Sequence, residues 1–194
     1  MGKQRTIRQY RALDLFLFAV MLVFFEALIH LASTSWFPSQ PWTVSLTPAI
    51  TAVVLIRWGP WGGIHAVLGA LVLCLVSMAQ PVQYAVYLLG NLFALLALPA
   101  LKLFGGKGEI TARSDKTVLF GLLVLALMQG GRALTALALG YLPTLALGFF
   151  TTEVVTDLFT LLILWIVRRL DGMLEDQRSY LRRIAEEEEQ NAAS

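Results

Sequence analysis

Charged residues are scarce in this chain of 194 residues: they make up 14% of it, whereas hydrophobic residues make up 57%. A soluble domain carries about 25% charged residues, so the composition argues against a soluble fold. The formal net charge of +2 is too small to indicate a nucleic-acid partner. The single cysteine, Cys74, lies in an apolar run, which excludes a disulfide framework and predicts a small buried side chain.

Motifs for nucleotide hydrolysis and for catalysis are absent as well. The sequence has no Gly-x-x-x-x-Gly-Lys-Ser/Thr phosphate loop, which excludes ATP hydrolysis by that route. Glu26 and His30 supply two metal ligands at most, and no cysteine or histidine cluster completes a site. No serine stands in a nucleophile elbow. The sequence therefore predicts no catalytic residue, no metal and no cofactor.

Long apolar runs fill most of the chain, and short polar stretches separate them. About 20 residues of helix cross a hydrocarbon core of roughly 30 Å, and a backbone in lipid must satisfy its own hydrogen bonds. We therefore expect an all-α membrane protein with six transmembrane helices. The predicted spans cover residues 13–32, 43–56, 64–78, 84–103 and 118–139, followed by a sixth that starts after Pro143 and ends at Val167.

Basic residues are missing from three of the predicted connections, those after the first, third and fifth spans. Lys and Arg lie instead at the N-terminus, at Arg57, around the fourth-to-fifth connection and after the last span. The positive-inside rule then predicts cytoplasmic N- and C-termini in a bacterial plasma membrane. The predicted organisation is a basic N-terminus (1–12), a six-helix bundle (13–169), and a cytoplasmic amphipathic helix with an acidic tail (170–194).

Ionisable and amide side chains inside the predicted spans form pairs at helical spacing, which places the members of each pair on one face. Such residues are costly in lipid and usually face the bundle interior or a water-filled cavity. Here they all lie between the midplane and the outer surface. We therefore predict a binding pocket open to the outside. Its predicted lining is Glu26, His30, Tyr87, Asn91, Gln129, Arg132, Glu153 and Asp157.

Two further groups of residues have an expected role. The aromatic residues Trp36, Phe37 and Trp42 in the first outer loop form either a lid over the pocket or an interfacial belt. The third span is rich in small residues, including Gly62 and Gly69, which predicts close helix packing or a docking strip for another membrane protein. His65, near the cytoplasmic start of that span, is expected outside the pocket.

The segment Arg57-Trp-Gly-Pro-Trp-Gly-Gly63 opens the small-residue third span. With six spans, both termini inside and a long outer first loop, the chain over residues 13–169 resembles the S components of energy-coupling factor (ECF) transporters. This resemblance implies a non-catalytic subunit that captures a vitamin-like nutrient near the outer face. It also implies partnership with a transmembrane T component and two cytoplasmic ATPase subunits. Arg132 would then clamp a carboxylate or phosphate of the nutrient.

Two alternatives to nutrient capture remain open from the sequence. One is a scaffolding protein of the cell envelope, similar to MreD, in which an Arg132–Glu153 or Arg132–Glu26 ion pair only fixes helix packing. The other is an intramembrane enzyme that uses Glu26, His30 and Glu153.

Overall fold

The computed structural model of the chain describes residues 7–40, 42–170, 173–175, 177, 180 and 190. Within these residues the regular structure is helical and no β-strand occurs, which confirms the predicted all-helical fold there. The α-helices of this part are α1 (Ile7–Trp36), α2 (Thr47–Trp58), α3 (Gly62–Val76), α4 (Pro81–Asn91), α5 (Ala97–Leu103), α6 (Lys107–Ala112), α7 (Ser114–Ala138), α8 (Pro143–Thr151) and α9 (Val154–Arg168). Short 3₁₀ segments, Gly59–Trp61 and Leu92–Leu96, join α2 to α3 and α4 to α5.

Five continuous helical stretches in the described part of the chain are long and apolar enough to cross a membrane. They are Ile7–Trp36, Thr47–Val76, Pro81–Leu103, Ser114–Ala138 and Pro143–Arg168. A water-soluble protein of this size does not carry so many. The chain therefore has the make-up of a multi-pass helical membrane protein.

The stretch Thr47–Val76 is a hairpin of two helices rather than one straight rod. Along a single helix Thr47 and Gly69 would stand about 33 Å apart, yet a Cβ on Gly69 would overlap the Thr47 side chain. A Cβ on Gly62 would likewise lie 2.6 Å from Leu55 Cγ. The chain reverses at Gly59, which has φ +65°, a conformation that glycine adopts without strain. Thus α2 and α3 run antiparallel and in close contact.

Helix α2 occupies the centre of the bundle. Each of its residues is buried, and it contacts α1, α3, α7 and α9. Its sequence, Thr-Pro-Ala-Ile-Thr-Ala-Val-Val-Leu-Ile-Arg-Trp, has no polar face, as expected of a helix that is surrounded on all sides. The small residues of α3 allow it to pack closely against this central helix, which is the packing role that the sequence predicted for them.

Helix α1 lies at the edge of the bundle and exposes a large apolar surface. Its exposed side chains include Phe16, Leu17, Val20 and Phe24. Contiguous apolar surface of this size is unusual on a protein in water and is typical of a surface that faces lipid. The opposite side of α1 carries the buried residues Phe18, Leu22 and Glu26 against the bundle.

Two of the long helical stretches are interrupted part-way. The first changes from α-helix to 3₁₀-helix after Asn91, and the second breaks between Thr151 and Val154, where Glu153 is not helical (φ −104°, ψ 9°). Both interruptions occur beside α7, which contacts α4, α8 and α9. The sequence predicted continuous spans here, because Gly90, beside the first break, is a residue that membrane helices often contain, and no proline or glycine marks the second break.

The predicted C-terminal amphipathic helix and acidic tail fall mostly outside the described residues, as do residues 1–6. Of the described tail residues, Leu174 and Gln177 are buried.

Candidate functional site

A polar cluster lies at the interrupted helices, between α4, α7, α9 and the segment before α2. It surrounds a cavity of about 10 Å³, which is room for roughly one water molecule. Four of the predicted pocket residues line this cavity: Tyr87, Asn91, Arg132 and Glu153. The other lining residues are Thr43, Val44, Ser45, Thr47, Pro48, Ala70, Leu73 and Met128.

The ion pair of Arg132 with Glu153 is the centre of the cluster. Both residues are buried, and Arg132 Nη1 donates to Glu153 Oε1. The guanidinium carbon lies 5.3 Å from the ring centroid of Tyr87 and 6.0 Å from that of Phe149. Two aromatic faces and one carboxylate therefore hold the charge of Arg132 inside the bundle. This is the pair that the packing-only alternative foresaw.

Glycine makes the approach of α4 to α7 possible. A Cβ on Gly90 would lie 2.6 Å from the Arg132 backbone nitrogen, and one on Gly131 would overlap the Gly90 carbonyl oxygen. The two backbones thus touch at the level of the cavity. This contact brings Tyr87 and Asn91 of α4 beside Arg132 of α7.

Asn91 binds across the bundle to α3. Its Nδ2 donates to the carbonyl oxygen of Ala66 at 3.1 Å, while its Oδ1 is buried without a hydrogen-bond partner. Glu153 Oε2 is also buried and has no partner. The Ala66 carbonyl oxygen has two lone pairs, so it can accept this hydrogen bond in addition to one within α3, and the bond ties the end of α4 to α3.

Glu26 has a different position from the predicted one: it stands behind the cavity and caps α2. Ser45 Oγ donates to Glu26 Oε1 at 2.6 Å, and the Leu46 backbone N–H donates to Oε2 at 2.8 Å. The first N–H groups of a helix lack intrahelical partners, and an acidic side chain from α1 satisfies one of them here. Glu26 therefore contributes to the site indirectly, through Ser45.

The remaining predicted pocket residues do not line the cavity. Gln129 Nε2 donates to Asp157 Oδ1 at 2.7 Å, which joins α7 to α9 next to the cluster. His30 is half-buried on α1, one turn beyond Glu26. His65 is buried and hydrogen-bonded to the carbonyl oxygen of Leu15, 3.1 Å from Nε2, away from the cavity as expected.

The aromatic residues Trp36, Phe37 and Trp42, proposed as a lid, do not line the cavity. Trp36 is 75% exposed, and Phe37 contacts Trp42 with ring centroids 6.0 Å apart. Residues 43–45 line the cavity instead, and Thr156 holds them through its hydroxyl. That hydroxyl donates to the carbonyl oxygen of Thr43 at 3.0 Å and accepts from the Ser45 N–H at 3.1 Å.

The position of residues 43–45 in the cavity wall was not predicted, because the sequence placed residues 43–56 in a single span. The signal that could have found it is Ser45-Leu-Thr-Pro48, since proline favours the first turn of a helix and serine the residues before it. The chain before this turn is then a loop.

A second polar cluster, also missed, lies at the opposite end of the bundle. Arg57 Nη2 donates to Asp14 Oδ1 at 2.8 Å, and Arg57 Nε donates to Asp14 Oδ2 at 3.0 Å. Trp58 Nε1 donates to the same carboxylate at 2.6 Å, and Arg57 Nη1 donates to the carbonyl oxygen of Met173 at 2.7 Å. From the sequence, Arg57 was expected to act as an orientation charge and not as a buried ion-pair partner.

Metal ligands do not gather in the described ranges: no three His, Cys, Asp or Glu side chains come together there. Comparisons of the chain with protein-family models, with curated proteins and with solved structures found no match.

Proposed function

We propose that the chain crosses the bacterial plasma membrane six times, with both termini in the cytoplasm. The reversal at Gly59–Trp61 supports this count, because it divides the stretch Thr47–Val76 into two antiparallel helices. Arg57 lies at the α2–α3 end of the bundle, and Lys107 and Arg113 lie between α5 and α7, whereas the connections α1–α2, α3–α4 and α7–α8 contain no Lys or Arg.

The chain acts, in this proposal, as the substrate-capture subunit of an ECF-type importer and binds a small polar nutrient on the outer side. The observation that carries the proposal is the meeting of two interrupted helices at a polar cavity beside Arg132. Discontinuous membrane helices are typical of transporter binding sites, since irregular backbone at membrane depth is tolerated where it lines a cavity.

The captured molecule contacts Tyr87, Asn91, Arg132 and Glu153, which are the predicted residues that share the cavity. Glu26 supports the site by fixing Ser45. Because the cavity holds about one water molecule, capture of a whole nutrient requires residues 43–45 to move away from α9. The bonds of Thr156 to Thr43 and Ser45 are those that must break.

Energy for import comes from partners in this proposal. They are a transmembrane T component and two cytoplasmic ATPase subunits, as the resemblance implies, because the chain has no phosphate loop. The chain itself performs no chemistry.

The scaffolding alternative receives less support from the bundle. It needs small residues that face outward, whereas Gly62 and Gly69 pack against α2. An ion pair that only fixes helix packing gains nothing from buried acceptors without partners, yet Asn91 and Glu153 each have one.

A thermal-shift screen of the full chain in detergent against vitamin-like compounds tests the capture function. A ligand at 100 times its dissociation constant stabilises by about 2.7 kcal/mol. One kcal/mol corresponds to about 2–4 °C at this chain length. We therefore expect one compound to raise the melting temperature by roughly 5–10 °C. No shift with any compound would contradict the proposal.

The matched variants Tyr87→Leu and Tyr84→Leu locate the site. Both tyrosines are half-buried on α4, one turn apart, and of the two Tyr87 lines the cavity. Tyr87→Leu should lose most of the ligand-induced shift, while Tyr84→Leu should retain it. Equal responses from the two variants would place the binding site elsewhere.

A further inference from the structure

Two hydrogen-bond acceptors at the cavity have no partner. Asn91 is 3% exposed and Glu153 is 5% exposed, and Asn91 Oδ1 and Glu153 Oε2 are both buried without any hydrogen bond. Each residue lines the cavity. Buried polar atoms are nearly always paired, so two acceptors without a partner on one small cavity form a place where a donor group can bind.

The chemistry of these two atoms is fixed by their neighbours. The Ala66 carbonyl can only accept a hydrogen bond, so the Asn91 amide must direct Nδ2 toward it and keep Oδ1 free. The other oxygen of Glu153 is occupied by Arg132 Nη1. Both free atoms are therefore acceptors, and an ionised carboxylate has no proton to donate.

The size and charge of the cavity further restrict which chemical groups can bind there. Its volume of about 10 Å³ admits a group the size of one water molecule. The charge of Arg132 is already balanced by Glu153, so an incoming anion would place its acceptors against two acceptors. A small group with at least two donors satisfies both.

We infer that the cavity binds the amino, ammonium or carboxamide NH₂ group of the captured molecule, which donates to Asn91 Oδ1 and Glu153 Oε2. This inference rests on the proposed capture function and specifies its substrate chemistry. It replaces the expectation that Arg132 clamps a carboxylate or phosphate.

The test compares three small ions on the full-length protein in detergent, each at 100 mM against sodium chloride. Methylammonium carries donors, tetramethylammonium has the same charge without donors, and acetate brings acceptors. We expect methylammonium to raise the melting temperature by about 2–4 °C, the shift that about 1 kcal/mol of binding produces. The other two ions should match sodium chloride. A larger shift with acetate, or the same shift with all three ions, would overturn the inference.

Glu153→Gln is the decisive variant. The glutamine carbonyl faces Arg132 Nη1, so the amide nitrogen takes the place of the free oxygen and turns an acceptor into a donor. The methylammonium response should disappear and a response to acetate should take its place. If this variant does not fold, Asn91→Leu, which removes the other acceptor, should abolish the methylammonium shift. An unchanged methylammonium response in the folded variant would overturn the inference.

The matched control is Thr51→Val. Thr51 Oγ1 is also buried without a partner, but Thr51 does not line the cavity, so this variant should keep the methylammonium response.

The experiments distinguish failure of this inference from failure of the capture function. If a vitamin-like compound raises the melting temperature but methylammonium does not, the capture function is supported and the NH₂ site is overturned. A methylammonium response that is lost in Glu153→Gln, without any stabilising compound, supports the NH₂ site and contradicts capture.

Discussion

Among the described residues, two arginine–carboxylate pairs have a buried arginine, one near each end of the bundle, and they differ in how completely their hydrogen bonds are satisfied. At the α2–α3 end, both oxygens of Asp14 accept hydrogen bonds and Arg57 also binds the Met173 carbonyl. At the opposite end, Glu153 uses one oxygen for Arg132 and keeps the other free beside a cavity. The first pair is closed, and the second is open in the sense that one carboxylate oxygen has no partner. In the orientation proposed above, the Asp14–Arg57 pair is the inner pair and the Arg132–Glu153 pair is the outer pair.

This difference gives each pair a separate role. A closed pair ties elements together, and here it joins α1, the end of α2 and the chain near Met173. An open pair keeps hydrogen-bonding capacity at a net cost in stability, because a buried acceptor without a partner costs about 1–3 kcal/mol. We propose that substrate binding recovers that cost at the outer pair.

The largest expected effect is from Asp14→Ala. Removing one partner of a buried pair leaves the other charge buried, which costs about 3–5 kcal/mol. Chemical or thermal unfolding in detergent measures it. The control is Asp115→Ala, because Asp115 pairs with Arg113 on the surface, where side chains are 56% and 58% exposed, and such pairs contribute about 0–1 kcal/mol. Equal losses from both variants would contradict the closed character of the inner pair.

The next largest difference is expected when both partners of one pair are replaced by apolar residues, and the unfolding free energies of the two double variants are compared. Arg132→Met with Glu153→Leu should change the unfolding free energy by less than about 1.5 kcal/mol, because paired apolar replacement of buried ions is often neutral. The same exchange at Asp14 and Arg57 leaves the Trp58 N–H and the Met173 carbonyl oxygen without a hydrogen-bond partner. Each loss should lower the unfolding free energy by about 1–3 kcal/mol.

The ligand response of the two double variants completes that comparison. The outer double variant should lose every ligand-induced thermal shift, while the inner one, where it folds, should retain it. An outer double variant that still binds would show that the outer pair has only a packing role.

A smaller effect is expected at buried hydroxyl groups. Thr51→Val removes a hydroxyl without a partner and should stabilise the chain by about 0.5–1 kcal/mol. Thr117→Val removes a buried hydroxyl that donates to the carbonyl oxygens of Ile110 and Arg113, and should destabilise it by about 1 kcal/mol. Unfolding midpoints compare the two variants directly. A loss in both would mean that Thr51 has a partner in solution.

The smallest expected effect is on the exposed pair of Glu109 with Lys116. The Lys116 ammonium, which hydrogen-bonds Glu109 at 2.7 Å, lowers the pKa of Glu109 below 4.5. A lowered folded pKa means that the contribution of the pair is present above about pH 4.5 and is lost as the pH falls through the folded pKa. Carboxyl NMR titration should show this midpoint rise toward 4.5 in Lys116→Gln. An unchanged midpoint would exclude the contact.

The sequence predicted an all-helical chain with several membrane-length helices well, because long apolar runs are a local signal. It also predicted that Tyr87, Asn91, Arg132 and Glu153 lie together, since helical spacing and depth are readable from a span. Capping of α2 by Glu26 was not predictable, because it joins residues of two helices that only packing brings together.

The breaks at Asn91 and Glu153 and the pair of Asp14 with Arg57 were missed for related reasons. The break at Glu153 carries no proline or glycine, and Gly90, beside the break at Asn91, is a residue that uninterrupted membrane helices also contain. Asp14 lies near the start of a long apolar run, where a single acidic residue is ordinarily interpreted as the edge of a membrane span. Its partner is 43 positions away along the chain.

The central claim is that the open outer pair holds a captured molecule, and mass spectrometry of what co-purifies with the protein tests it most directly. The full chain is extracted gently from membranes, denatured, and its released small molecules are identified, with the outer double variant (Arg132→Met with Glu153→Leu) as the control. The account predicts one polar molecule with an amino, ammonium or carboxamide group in near-stoichiometric amount, absent from the variant. The same molecule in equal amount from both proteins, or an anion without N–H donors from the unchanged chain, would contradict it.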